Sequence, residues 1–136
     1  MSGLRERDLK ELAALQMRIC AKLNETLGLS QELAEAVERQ DQVSVKLLLS
    51  SRQKPILELQ ELYAAIKLKR CDLSGGDEED FDRLVSGGAA ETEEERPVAA
   101  QQAANQRLLE RLIGLDRRLN EMLCKERSIY KTGRQV

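Results

Sequence analysis

The sequence predicts an all-α protein, an elongated antiparallel helical bundle or coiled-coil hairpin of three long helical segments, and three observations carry that expectation. Apolar residues recur every three to four positions over most of the chain, the spacing of one helix face. Aromatic residues make up 2% of the chain, one Phe and two Tyr with no Trp, so a core must come from Leu, Ile, Val, Ala and Met, the material of packed helices. Gly (8) and Pro (2) are few and β-branched runs are scarce, which argues against a sandwich or barrel with its frequent turns. A chain of 136 residues is one domain's worth. It divides into N-terminal helical segments over 1–71, an acidic flexible loop over 72–96 and a C-terminal heptad helix over 97–136.

The first helical face reads Leu9, Leu12, Leu15, Ile19, Leu23 and Leu27, widened by Ala13, Ala14 and Cys20, so it meets more than one neighbour. Gly28 follows as a helix-ending residue and Ser30 as an N-cap, which predicts a break or kink at 28–30. A further stretch with Leu33, Ala36 and Val37 ends at Arg39, after which Asp41 either caps a new helix or decorates a continuous one. Val45, Leu48, Leu49, Ile56, Leu59, Leu62, Tyr63 and Ile66 then extend one face as far as Leu68, and the mild charge pattern around them reads as a solvated polar face. Pro55 lacks an N–H and crowds the carbonyl of Ser51, which predicts a kink over 51–55.

Residues 72–95 break the pattern with ten carboxylates against the single Arg83, a net of −9, leaving +7 for the rest of a chain whose total is −2. Ser74-Gly75-Gly76 and Ser86-Gly87-Gly88 punctuate this stretch, and Phe81, Leu84 and Val85 between them suit one helical turn that docks transiently. Thr92 with Glu95 matches a capping box and Pro97 suits a first turn, so a helix starts between 92 and 98. Gln101, Asn105, Leu108, Leu112, Leu115, Leu119, Met122, Glu126 and Ile129 then alternate at spacings of four and three, a heptad seam that ends at Thr132-Gly133-Arg134.

Histidine is absent, which removes Ser-His-Asp and Cys-His nucleophile pairs, imidazole metal ligands and the commonest general base; a non-enzymatic protein without cofactor is expected. Asp77-Glu78-Glu79-Asp80 lacks the alternating spacing and terminal Glu of a calcium loop, and the glycine pairs lack the Lys and Ser/Thr of a phosphate loop. Arg107, Arg111, Arg117 and Arg118 are interspersed with Glu110, Asp116 and Glu121 and have no aromatics beside them, so a solvated helix face is expected rather than a nucleic-acid site. Cys20, Cys71 and Cys124 are dispersed and form no CxxC, the pattern of reduced thiols acting as small buried hydrophobes in a cytoplasmic protein. The start of the chain is charged from Arg5 onward and no aliphatic run, Leu47-Leu48-Leu49 included, approaches the length of a bilayer crossing, so neither a secretory signal nor a membrane span is expected.

What remains is the seam, whose Leu108, Leu112, Leu115, Leu119 and Met122 are the candidate partner-binding residues. They either pack internally against the first two helices or receive a partner helix, a protein rather than a nucleic acid or membrane. A structural coiled coil that homo-oligomerises through the same seam is the alternative. A third reading has the acidic loop compete with an acidic partner for the basic helices.

Asn105-Gln106-Arg107-Leu108-Leu109-Glu110 and the ending Ile129-Tyr130-Lys131-Thr132-Gly133-Arg134 resemble the last helix of bacterial flagellar export chaperones of the FlgN type. Asp41-Gln42-Val43, Leu47-Leu48-Leu49 and Ser51-Arg52-Gln53-Lys54 resemble that family's Asp-led helix, and the likeness spans residues 33–66 and 101–134. The resemblance implies a small helical cytosolic chaperone that holds hook-associated subunits before secretion, gripping the client's C-terminal segment through Leu108, Leu112, Leu115, Leu119 and Met122.

Overall fold

A computed structural model describes residues 4–134, with side chains described as far as Lys125. Among the described residues the chain forms four α-helices and no strand: α1 (Glu6–Glu38), α2 (Gln42–Cys71), α3 (Asp77–Val85) and α4 (Arg96–Arg134). At 1.5 Å per residue the three long helices run for roughly 45–60 Å each, so the molecule is all-α and drawn out along them. α1 packs closely against both α2 and α4, whereas α2 and α4 approach each other less closely. Lys69 of α2 pairs with Asp8 of α1 at 2.6 Å, while Lys22 pairs with Glu58 at 2.8 Å, so α1 and α2 are antiparallel. Gln16 meets Val98 and Asn105, and farther along Ala34 lies beside Leu115 and Met122, so α4 returns parallel to α1. The path is up, down, up.

α1 is unbroken through residues 28–30, where a break was expected. Ser30 spends its hydroxyl on the carbonyl of Thr26 at 2.7 Å and Thr26 does the same to Lys22 at 2.8 Å, so neither caps a new start. Leu23, Leu27 and Leu33 are buried on either side and hold the turn through Gly28. The helix ends instead after Glu38, where Gln40 just beyond the cap takes φ 58°. There the Gln40 N–H donates to Val37 O and the Asp41 N–H to Ala36 O, each at 3.0 Å, a left-handed C-terminal cap. The same Asp41 opens α2, its carboxylate accepting from the Ser44 N–H at 3.1 Å and from the Ser44 hydroxyl at 2.6 Å.

α2 is continuous through Pro55, whose ring is buried. Leu68 lies on the outer face, not on the buried one to which its spacing had assigned it.

The stretch expected to be a flexible acidic loop folds in part into α3, longer than the single turn its apolar residues had suggested. Asp77, Glu78, Glu79 and Asp80 occupy its first turn, where the unpaired N–H groups favour negative charge. Phe81 and Leu84 are fully buried against Leu4, Leu9, Leu12, Leu73 and Val98. Gly87 at φ 93° closes the helix: its N–H donates to Leu84 O at 3.3 Å and that of Gly88 to Arg83 O at 2.8 Å. A Cβ on Gly88 would sit 2.8 Å from that carbonyl, so only glycine fits.

Thr92 and Glu95 realise half of the capping box. The Glu95 N–H donates to the Thr92 hydroxyl at 3.2 Å, and the Glu95 carboxylate accepts from the N–H of Glu91 rather than from Thr92. α4 then begins at Arg96, with Pro97 in its first turn, and runs through Gly133 to Arg134. The side chains of Glu126 and Ile129 at the end of the seam, and those of the Tyr130–Arg134 ending, lie outside the described residues.

Two apolar clusters make the core. The larger joins Ile19, Leu23, Leu33, Leu59, Leu62 and Leu112 with their neighbours; the smaller gathers around Phe81 beneath α3. Between them lies a layer of amides. Gln16 is 0% exposed and its Nε2 donates to Val98 O at 3.2 Å and to Gln102 Oε1 at 3.1 Å, while Asn105 Nδ2 donates to Gln16 O at 2.9 Å. Gln16 Oε1 is left without a partner.

Gly28 and Gly114 sit on exposed helix faces with nothing within 4 Å of an added Cβ. Replacing both with Ala is expected to raise stability by about 1.5–2 kcal/mol, nearly additively, because each change restores about 0.8–1 kcal/mol of helix propensity. Urea unfolding followed by circular dichroism checks this; a lower midpoint in the double variant contradicts it.

Candidate functional site

The five seam residues do not stand together on an open face. Leu112, Leu115 and Leu119 are buried in the larger core cluster, and Leu108 and Met122 pack partly buried at its margins. The heptad is thus the stripe with which α4 joins the bundle.

The open apolar surface of α4 is offset by one position. Because α2 and α4 each follow α1 but stand apart from one another, a groove of about 340 Å3 opens between them. Its floor is the buried Ile19 of α1; Tyr63 and Ile66 come from α2, Leu109 from α4, and Val85 at the end of α3 closes one end. The amides of Gln102, Asn105 and Gln106 and the exposed Lys67 supply its polar groups. Gln102 Nε2 donates to Val85 O at 2.9 Å and so joins α3 to this end. Ile113, one turn beyond Leu109 on the same side of α4, is 50% exposed. The Arg52–Asp116 ion pair spans from α2 to α4 and fixes their antiparallel alignment farther along. Burial pushes the Tyr63 phenol above its ordinary range, so its hydroxyl stays neutral throughout the physiological span.

A groove of this size and lining has room for one or two apolar side chains of a helix laid along α2 and α4; of its amides, Gln102 and Asn105 are already engaged within the fold. Tyr63 and Lys67 are the titratable residues of its lining. Among the described residues no cluster of three or more His, Cys, Asp or Glu has the geometry to hold a metal. No helix of the described residues is long and apolar enough to cross a membrane. All three cysteines are free thiols; Cys71 and Cys124 are exposed rather than buried as their dispersed pattern had suggested, and Cys20 is half-buried.

Sequence reading missed Leu109 and Ile113 because the stronger stripe beside them absorbs the periodicity. The available signal was their own spacing of four on a helix whose seam was already complete at 108, 112, 115 and 119. The groove itself needed the separation of α2 from α4, which no local pattern encodes.

Ion pairs around these helices set the acid response. Lys69 holds the Glu11 carboxyl below its usual range, Lys22 does so for Glu58, Arg70 for Asp82, and the Ser44 hydroxyl and N–H for Asp41. A carboxyl with a lowered folded-state pKa contributes stability above its unfolded value and loses it as pH falls through the folded value. The melting temperature is expected to be flat from about pH 5 to 8 and to drop below about pH 4, modestly because these groups are solvated. The raised pKa values of Lys22 and Lys69 remove their share only in strong alkali. Thermal melts across pH check this, and a melting temperature that rises on acidification contradicts it.

Neither a protein-family model, nor a curated protein, nor a solved structure matches this chain.

Proposed function

We propose that this protein is a non-enzymatic cytoplasmic secretion chaperone that sequesters an amphipathic helical segment of a flagellar structural subunit, as its resemblance to the FlgN type implies. The observation that supports this reading is the apolar groove between α2 and α4, with Tyr63, Ile66 and Leu109 in its lining and Ile113 half-exposed beyond it. A client helix reaches this groove without disturbing the core, whereas Leu112, Leu115 and Leu119 are already committed to it. The binding stripe is therefore moved one residue from the seam, to Leu109 and Ile113, while Leu108 and Met122 pack at the margin of the core. An aliphatic groove with soft rim amides suits a tolerant binder of related segments.

Light scattering coupled to size exclusion, on the chain alone and with peptides from the C-terminal ends of hook-associated proteins, tests the reading. A defined complex with such a peptide, weakened at least about tenfold by Ile113→Asp with helicity retained, is the expected result. A concentration-independent oligomer that ignores every peptide points instead to a structural coiled-coil subunit.

A further inference from the structure

The outer face of α2 carries a second heptad line that the core does not use. Positions 43, 47, 50, 54, 57, 61, 64 and 68 alternate at steps of four and three, and every one of them is exposed. Val43, Leu47, Leu57 and Leu68 on this line are 71%, 63%, 56% and 68% exposed. Scattered surface leucines are ordinary, but a line of them at coiled-coil spacing along one helix marks a contact surface.

The charges on this face select the occupant. Arg52, Lys69 and Arg70 of α2 are engaged with Asp116, Asp8 and Asp82. Lys46, Lys54 and Lys67 form no ion pair within 4 Å among the described residues, although Lys54 stands near enough to Glu58 to lower its pKa; Lys54 and the likewise exposed Glu61 lie on the line itself, and Lys46 and Lys67 border it. A second copy of α2 is a poor fit. Laid parallel in register it sets Lys54 on Lys54 and Glu61 on Glu61, and laid antiparallel about the middle of the line it brings the bordering Lys46 beside Lys67 at both ends. Like charges at such flanking positions oppose pairing, and opposite charges direct it.

We propose that the outer face of α2 docks an amphipathic helix of a partner protein whose apolar stripe is bordered by carboxylates, one of them opposite Lys54. This surface lies beside the α2–α4 groove and shares only Lys67 with it.

The probe is a peptide of about 28 residues in four heptads, with Leu at the seam, Glu at the flanking positions and one Asp placed to meet Lys54. A control peptide carries Lys at the flanks. Fluorescence anisotropy with the full chain is expected to show the acidic peptide binding at least about tenfold tighter than the basic one, the margin shrinking between roughly 0.05 and 0.5 M salt. Leu57→Asp, at an exposed site, is expected to weaken binding by about tenfold or more with helicity unchanged. The double variant Lys46→Glu/Lys67→Glu reverses the preference, and Ile113→Asp, just beyond the groove, leaves it as it was. Equal affinity for both peptides, insensitivity to Leu57→Asp, or loss of binding in Ile113→Asp overturns the proposal. So does a dimer in sedimentation that Leu57→Asp dissociates, since the occupant is then a second copy.

Discussion

Leu115→Asp is expected to unfold the bundle or leave it barely folded. The side chain lies in the larger core cluster with Leu112 and Leu119 and neighbours from α1 and α2. Losing the buried leucine and burying an unpaired polar group in its place costs about 3–5 kcal/mol, a large part of the 5–15 kcal/mol that holds an ordinary domain. The contrast is Ile113→Asp, two residues earlier on the same helix but half-exposed, which is expected to cost less than about 1 kcal/mol. Urea titrations of the two variants side by side measure the difference. A Leu115→Asp protein with wild-type stability would show that the seam faces outward and that α4 is held by other contacts.

The second large effect is expected at Arg83. Its guanidinium donates to Asp80 at 3.1 Å and to both oxygens of Glu95 at 2.9 and 3.0 Å, and it also bonds the Ala89 carbonyl. Glu95 is fully buried. Arg83→Met strands that carboxylate with the Glu91 N–H as its remaining donor, a change that costs about 2–4 kcal/mol. The loss is expected to be local: α3 and the 86–95 connection let go, Phe81 and Leu84 become exposed, and α1, α2 and the rest of α4 remain. Hydrogen exchange should therefore speed up over residues 73–95 and stay slow around Leu23 and Leu33. Pairing the change with Glu95→Leu removes the stranded charge and should recover most of the loss. Unchanged exchange in Arg83→Met would mean that apolar burial of Phe81 and Leu84 alone retains α3.

How much of this was legible in the sequence depends on whether the deciding contact is local. The periodicity of α1 and of the α4 seam reports directly which side chains are buried, so Leu12, Leu23, Leu112 and Leu119 emerge from spacing alone. Asp41 and Thr92 act within three residues of themselves, and their hydroxyl and carboxylate chemistry marks the helix starts. α3 escaped because its composition is that of a solvated loop. Its order comes from Arg70, twelve positions upstream of Asp82, and from Glu95, twelve downstream of Arg83. α2 misled for another reason: with apolar residues at Val45, Leu59 and Leu62 on one face and Val43, Leu47, Leu57 and Leu68 on the other, spacing alone does not rank the faces. At Gly28 a local signal was present and was outvoted by the burial of Leu27 and Leu33.

The amide layer around Gln16 has a consequence for how the helices find one another. A leucine heptad looks the same after sliding by seven residues, so α4 has several nearly degenerate seats along α1 as far as apolar burial is concerned. Sliding one heptad either way would set Asn105 against Leu9 or Leu23, both buried leucines, and strand its amide at about 1–3 kcal/mol. The layer thus acts as an address, written once in a repeating text, and the unpartnered Gln16 Oε1 is what the protein gives up to keep that address unique.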